Sequence, residues 1–176
     1  AVPGRIPLGP DISGEEQKPV WIVSAQGVTI NDAIQRIQQK TANEFFLGHL
    51  RVIAVSEAYA REGLQNLNDY LRRNTQVRKA AWMIVVNGEA SALMDVNPEL
   101  ERVPAMHLVT TLESAVRMGK IPNLFLGRFW TSLSSQAKSG LLAYVKIGQK
   151  ENILLNGMAF FRGDQMVGIT EPLEIG

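Results

Sequence analysis

The chain of 176 residues contains no cysteine and only two histidines, His49 and His107. Without cysteine, this sequence has no disulfide, no thiolate metal ligand and no cysteine nucleophile. Neither histidine has a second histidine or a glutamate at the spacing typical of zinc sites. These absences predict that the chain uses no metal and no cofactor.

Catalytic and nucleotide-binding signatures are also missing. The sequence has no Gly-x-Ser-x-Gly elbow, no Gly-x4-Gly-Lys-Ser/Thr loop and no Gly-x-Gly-x-x-Gly fingerprint. A Ser-His-Asp triad can assemble from distant segments, so a hydrolase stays open as a third hypothesis, with no local motif behind it. We therefore predict that the chain is not an enzyme and has no catalytic residues.

Neither charge nor hydrophobicity is concentrated along the chain. Lys and Arg number 18, Asp and Glu 17, and the net charge is +1. Because nucleic-acid binding usually needs a basic stripe, we expect no nucleic-acid partner. No apolar run approaches the ~20 residues of a membrane span. The segment itself is thus expected to be soluble, and its 45% hydrophobic content suffices for a packed core.

The first half of the sequence alternates strand-like and helix-like patterns. Short apolar runs predict strands, whereas stripes at helical spacing predict helices between them. The predicted strands cover 2–8, 20–24, 45–55 and 81–86, and the helices follow Thr29 and Ser56 as N-caps, the second running to about Arg73 with Gly63 inside it. Such alternation favours parallel strand pairing.

After Pro104 the pattern changes to two helical stripes and then to strands. The strand-like segments are 141–147, 152–161 and 165–169, with Arg162-Gly163-Asp164 as a hairpin turn. The expected fold class is α+β or mixed α/β, with a β-α-β-α-β core, a mixed sheet, extra helices and a β-rich C-terminal segment. We expect a domain boundary near residue 148, with 1–148 forming one domain and 149–176 a β-hairpin that opens a second.

Polar residues inside the predicted strand 45–55 mark a candidate contact site. Strand alternation places His49 and Arg51 on the same face. If that face is buried, both groups need partners, and Glu57, Glu62 or Asp69 could supply a carboxylate in an internal ion pair. The alternative is that His49 and Arg51 line a groove for a ligand or a partner.

Two adjacent aromatic residues mark a second candidate site. Phe129 and Trp130 follow each other in a predicted amphipathic helix, so a narrow apolar stripe cannot bury both. One interpretation is a broad buried face. The other is an apolar patch for contact with another subunit.

Long stretches of the chain resemble a known family. They are Phe-Phe-Leu-Gly-His-Leu-Arg-Val-Ile-Ala-Val-Ser-Glu-Ala-Tyr-Ala-Arg-Glu-Gly at 45–63, Leu-Arg-Arg-Asn-Thr-Gln-Val-Arg at 71–78, Ala-Trp-Met-Ile-Val-Val-Asn-Gly-Glu-Ala at 81–90, and the segment from Asn156 to Gly168. These motifs are similar to those of the spore germinant-receptor C-subunit lipoproteins, the Ger(x)C family, in their N-terminal region.

The resemblance implies an accessory subunit of a nutrient germinant receptor, beside polytopic A and B subunits. Members of the family are about twice as long and begin with a signal peptide and a lipidated, palmitate-carrying cysteine. They carry a strand before the point where this chain starts, so we expect that first strand to be missing here. The implied location is the outer face of the spore inner membrane, through a lipid anchor upstream of this segment. The alternative function is a small-molecule binding domain, for an amino acid or a sugar.

Overall fold

The computed structural model describes residues 2–3, 20–41, 46–96, 104–135, 139–148 and 152–170. Its strands are β1 (Val2–Pro3), β2 (Val20–Trp21), β3 (Val52–Ser56), β4 (Trp82–Val86), β5 (Gly140–Ile147), β6 (Ile153–Arg162) and β7 (Gln165–Ile169). The last five form one sheet in the order β3-β4-β5-β6-β7. β3, β4 and β5 run parallel, whereas β6 and β7 are antiparallel to their neighbours.

Helices connect the parallel strands, as the sequence pattern predicts. They are α1 (Ile30–Lys40), α2 (Glu57–Glu62), α3 (Gln65–Arg73), α4 (Pro104–Arg117) and α5 (Leu126–Leu133). The pair α2 and α3 joins β3 to β4, and α4 and α5 join β4 to β5, with a 3-10 turn over Ala90–Met94 before them. The α+β class and its β-α-β-α-β core with a mixed sheet are confirmed.

The central strands β4 and β5 of the sheet are covered on both faces. β4 is buried at all five positions, because a central parallel strand with helices on either side has no solvent face. Alternate residues of the sheet enter two separate core layers. One layer joins the sheet to α2, α3 and α5 through residues such as Leu64, Leu71, Met83, Phe129 and Tyr144. The other joins it to α4 through residues such as Ile84, Leu108, Leu112, Ala143 and Val145.

A β-bulge in β6 reverses the alternation of that strand. Ala143 pairs with Met158, but Val145 pairs with Leu155, so β6 carries one extra residue at this point. Gly157 lies in the extra stretch with φ of 122°, a conformation that glycine adopts without a Cβ penalty. The hairpin of β6 and β7 continues the sheet of the preceding strands. The domain boundary expected near residue 148 stays a prediction.

The predicted helix from Ser56 to Arg73 is divided at Gly63. Ser56 caps α2 as expected, with its side-chain oxygen accepting a hydrogen bond from the Tyr59 amide. At Gly63 the backbone takes φ of 129°, and a new helix starts two residues later. The hairpin turn stabilises that start, because Asp164 accepts hydrogen bonds from the Leu64 amide through its carbonyl and from the Gln65 amide through Oδ2.

Two strand predictions are wrong in part. The predicted strand 20–24 is reduced to Val20–Trp21, which pairs antiparallel with Val2–Pro3 outside the main sheet. The rest of the predicted strand 2–8 lies outside the described residues. The predicted strand 45–55 begins only at Val52, because Leu47–His49 forms a 3-10 turn that inserts Leu47 into the core.

Candidate functional site

The turn before β3 decides the environment of His49 and Arg51. The Phe46 ring packs directly on Gly48, so closely that a Cβ there would lie 2.2 Å from the ring. A 3-10 turn over Leu47–His49 stands in place of the predicted strand, and both His49 and Arg51 are exposed to solvent. The alternation argument that placed them on one strand face is wrong for this reason.

Of the two interpretations, the internal ion pair required a buried face; among the described residues neither His49 nor Arg51 forms a salt bridge, and both are exposed. Instead, the His49 imidazole meets the edge of the Phe46 ring, with centroids 5.4 Å apart at 70°. Phe46 is itself 54% exposed. We refer to Phe46, His49 and Arg51 as the aromatic surface. The role of His49 and Arg51 in ligand or partner contact stays a prediction.

Phe129 and Trp130 occupy different environments. Phe129 is only 1% exposed and packs edge-on against Phe161 in the core, so the buried-face interpretation holds for it and it presents no contact patch. Trp130 is half-buried at the border of the same layer. Its indole nitrogen donates a hydrogen bond to Oδ1 of Asn68 over 3.1 Å, and the Arg72 guanidinium lies 5.5 Å from its ring centroid.

A small crevice lies beside this tryptophan, where α3, the end of α5 and the β6–β7 turn meet. Its volume is about 250 Å³. It is lined by Gln65, Asn68, Asp69, Arg72, Leu133, Gly163 and Asp164, and we refer to it as the Asn68 crevice. It brings two carboxylates, one guanidinium and one buried amide together within a single concave surface.

A larger cleft separates the start of α1 from α3. Its volume is about 1350 Å³, and amide, hydroxyl and phenol side chains dominate its walls, among them Gln26, Asn66, Tyr59, Tyr70 and Asn74. Partial burial raises the pKa of Tyr59, and the charge of Glu62 adds to this shift. A tyrosine is already protonated at physiological pH, and this shift moves its titration further away, so the phenol can donate hydrogen bonds there.

A short, part-buried hydrogen bond joins the sheet to α2. The Tyr144 hydroxyl donates to Oε2 of Glu57 over 2.5 Å, and Arg61 donates to Oε1 through Nε and Nη2. The Tyr144 hydrogen bond, followed by Arg61, holds the pKa of Glu57 below its usual range. Burial, followed by the Glu57 contact, raises the pKa of Tyr144 to about 12. These contacts hold the start of α2 against β5.

Two further observations concern metal ions and membranes. Within the described ranges, no three acidic or histidine side chains are grouped where they could hold a metal ion. No helix in the same part of the chain is both long and apolar enough to cross a bilayer.

Sequence reasoning gave no contact role to Asn68 or Tyr144, and it placed Asp164 in the hairpin turn without its hydrogen bonds to the start of α3. Asn68 stands within an otherwise amphipathic helix, at a position whose neighbours Leu64 and Leu71 are buried. The helical spacing of four and three residues could have placed it on the buried face. No sequence signal could have paired Tyr144 with Glu57, because 87 positions separate them.

Comparison with known proteins agrees with the resemblance noted in the motifs. The sequence profile described as "Spore germination protein N-terminal domain" matches residues 6–147. The chain is 30% identical over 155 residues to spore germination protein GerQC of Bacillus cereus, covering 88% of this chain and 43% of that protein. It is 27% identical over 180 residues to putative spore germination protein YfkR of Bacillus subtilis (strain 168), covering 94% and 46%. No solved structure matches it significantly.

The fold is thus an α+β domain with a five-stranded mixed sheet and two helical layers. Since the profile covers well over half of the sequence, the chain belongs to the family of spore germination protein N-terminal domains. The resemblance to spore germination proteins that the sequence motifs indicated is confirmed. The chain spans less than half the length of the two curated relatives.

Proposed function

We propose that this chain is a non-enzymatic accessory subunit that acts by contacting other subunits of a nutrient germinant receptor during spore germination. The observation that supports the proposal most strongly is the family match over residues 6–147. The proposed partners are the polytopic A and B subunits, and nucleic acid is not among them. The intact protein would be held by a lipid anchor upstream of this segment at the outer face of the spore inner membrane.

The aromatic surface is the proposed contact face. It combines an exposed phenylalanine in contact with a histidine and an exposed arginine two residues further along the chain, and aromatic residues and arginine are enriched in protein interfaces. The Phe46 ring packs on Gly48 and contacts the His49 ring, while about half of its surface stays accessible. An aromatic side chain has few rotatable bonds, so it loses little conformational entropy on binding, which favours a role as an anchor.

The experiment is a pull-down from detergent-solubilised spore membranes with the intact, lipidated protein as bait, quantified by mass spectrometry. We expect recovery of polytopic germination subunits with the wild-type bait and a loss of that recovery with the triple variant Phe46→Ser, His49→Ala, Arg51→Ala. The matched control is Met118→Ser, because Met118 is 67% exposed near the end of α4 and lies outside the aromatic surface.

Folding of each bait is checked first by circular dichroism, so that a misfolded variant is not scored. Equal recovery with the triple variant and the control would rule out the aromatic surface as the contact face. Absence of every polytopic subunit from a folded wild-type bait would contradict the accessory role itself.

A further inference from the structure

The chain contains two Asn-Gly pairs, Asn87-Gly88 and Asn156-Gly157. Asparagine is a chemically labile residue, because the backbone nitrogen of the following residue can attack its side-chain carboxamide. Glycine in the following position favours this attack, since it has no side chain in the way and its backbone takes up many conformations. The structure places the two pairs in very different surroundings.

Asn87-Gly88 forms an open turn directly after the central strand β4. Both residues are exposed, and Gly88 has φ of 88°, with no atom beyond its chain neighbours within 4 Å of the place that a Cβ would take. The backbone N–H of Asn87 donates to the Val145 carbonyl over 2.8 Å, which anchors the residue on its N-terminal side. Among the described residues, neither the Asn87 carboxamide nor the Gly88 N–H has a hydrogen-bond partner. Both reacting groups are therefore accessible to water and free to rotate toward each other.

Asn156-Gly157, in contrast, lies inside β6 and is held by the sheet. Gly157 is buried, and the pair occupies the β-bulge, with residues of β6 that pair with β5 on either side. Ring closure requires the glycine nitrogen to swing toward the asparagine side chain. In β6 that movement would break strand pairing on both sides of the bulge. The fold therefore protects at this place the same dipeptide that it leaves open after β4.

We propose that Asn87 is a site of spontaneous deamidation in the folded protein. The Gly88 backbone nitrogen loses its proton to the solvent and forms a bond to Cγ of Asn87. The bond from Cγ to Nδ2 breaks, and the nitrogen leaves as ammonia with a proton from the solvent, so that a five-membered succinimide remains. Water then adds to one of the two ring carbonyls and opens the ring, which gives aspartate or isoaspartate. The whole reaction consumes one water molecule and releases one ammonia molecule, with no oxidation or reduction.

The modification changes the charge and the backbone at the end of the central strand. A neutral side chain becomes a carboxylate, which takes the formal net charge of the chain from +1 to 0 and stands two residues before exposed Glu89. The isoaspartate product also lengthens the backbone by one methylene after the Asn87 N–H, so the bond to Val145 is kept. Asn87 follows β4, whereas the aromatic surface precedes the parallel strand β3, so the two lie at opposite ends of the strands. The modification is therefore independent of the subunit-contact role proposed above.

The test is an incubation of the folded chain in mildly alkaline buffer, with samples taken over time for peptide mapping by mass spectrometry. Labelling with isoaspartyl methyltransferase identifies the isoaspartate product separately. We expect the peptide that contains Asn87 to convert at least about tenfold faster than the peptide that contains Asn156, since the sheet raises the activation barrier at the second site. The same incubation in urea removes the fold, and there the two rates should become similar.

Two variants test the assignment to Asn87. Asn87→Gln keeps a carboxamide at an exposed position but would have to form a six-membered ring, so the acidic form of the intact chain should accumulate at least about tenfold more slowly on ion-exchange chromatography. The matched control, Asn123→Gln, changes an exposed asparagine that is not followed by glycine, and should accumulate the acidic form as the wild type does. Circular dichroism before and after the incubation shows that each chain stays folded.

Three outcomes would overturn the proposal. They are equal conversion of Asn87 and Asn156 in the folded chain, an intact Asn87 carboxamide in the folded chain after the urea-unfolded chain has converted, and accumulation of the acidic form at the wild-type rate in folded Asn87→Gln. The incubation needs no membrane partner. Its failure therefore leaves the pull-down result unaffected, and a negative pull-down leaves the deamidation result unaffected.

Discussion

The Tyr144 hydroxyl on β5 donates a hydrogen bond to Oε2 of Glu57 over 2.5 Å, joining residues that are 87 positions apart. Glu57 opens α2, directly after the edge strand β3. The contact therefore ties the middle of the sheet to the first turn of the helix that crosses it. Arg61, one turn further along α2, orients the same carboxylate from the other side.

Removing this hydroxyl should destabilise the fold without changing its packing. Tyr144→Phe keeps the buried ring and loses only a hydrogen bond to a charged group. We expect the free energy of unfolding to fall by about 1.5 kcal/mol, the lower end for such bonds, because the Glu57 side chain is 22% exposed and can be hydrated instead. Urea denaturation measures the change. Tyr70→Phe, at a half-buried tyrosine with no hydroxyl bond among the described residues, should be close to neutral; an equal loss in both variants would contradict the role of the contact.

The same pair should make stability depend on alkaline pH. Burial and the Glu57 contact raise the pKa of Tyr144 from 10.0 to about 12 in the folded state. The folded protein therefore holds this proton after the unfolded chain has lost it. The resulting stabilisation is complete below pH 10 and is lost as the pH rises toward 12.

We accordingly expect the free energy of unfolding to decline more steeply across this window in the wild type than in Tyr144→Phe. Comparing the two proteins cancels the other groups that titrate at high pH. Urea titrations at a series of pH values measure the difference. Parallel declines would show that the Tyr144 proton is not linked to folding.

Alanine at Gly63 should be more harmful than alanine at Gly88, although both glycines have positive φ. Gly88, with φ of 88°, has open space around it, so Gly88→Ala pays mainly the conformational cost of about 1–2 kcal/mol. At Gly63, with φ of 129°, a Cβ would also lie 2.6 Å from Oδ2 of Asp164. We expect Gly63→Ala to lose at least about 1 kcal/mol more than Gly88→Ala, since the clash also displaces the cap of α3.

A double-mutant cycle separates the two causes at Gly63. Combining Gly63→Ala with Asp164→Ala removes the clash, so the double variant should lose less stability than the sum of the single variants. Thermal or urea denaturation of the four proteins supplies the cycle. Strict additivity would mean that Asp164 does not contribute to the requirement for glycine.

Phe129 should behave as a core residue and Phe46 as a surface residue. Phe129→Ala empties a site that is 1% exposed and should cost about 3–5 kcal/mol, whereas Phe46→Ala at 54% exposure should change stability by less than about 0.5 kcal/mol. Differential scanning calorimetry distinguishes the two values. A large loss from Phe46→Ala would show that its packing on Gly48 is structural and would weaken its assignment to a contact face.

Local features of the fold could be predicted because a few neighbouring residues determine them. Thr29 and Ser56 cap α1 and α2 through side-chain oxygens that reach the backbone three residues on. The apolar segment Trp82–Val86 forms the central strand, since a run without polar positions suits burial on both faces. The turn at Arg162-Gly163-Asp164 also followed from local chemistry, with Gly163 at φ of 59°.

The same local rules failed where a tertiary contact was stronger. The apolar run after Phe46 is strand-like, yet a turn there buries Leu47 and lets the Phe46 ring rest on Gly48. That turn leaves His49 and Arg51 exposed, so the buried face on which an internal ion pair depended is absent there. The sequence could not show that Phe129 is buried while Trp130 stays half-exposed. Which side of a helix faces the core depends on the layer that the helix packs against.

The sequence by itself determined the class of the fold, the two N-caps, the parallel core and the family, because these depend on periodicity, capping chemistry and long motifs that are local in the chain. Only the tertiary structure decided which polar groups meet. Asn68 reaches Trp130 across 62 positions, and Gln65 reaches Asp164 across 99. Such pairs depend on how helices and strands pack in three dimensions, and no periodic pattern encodes that packing.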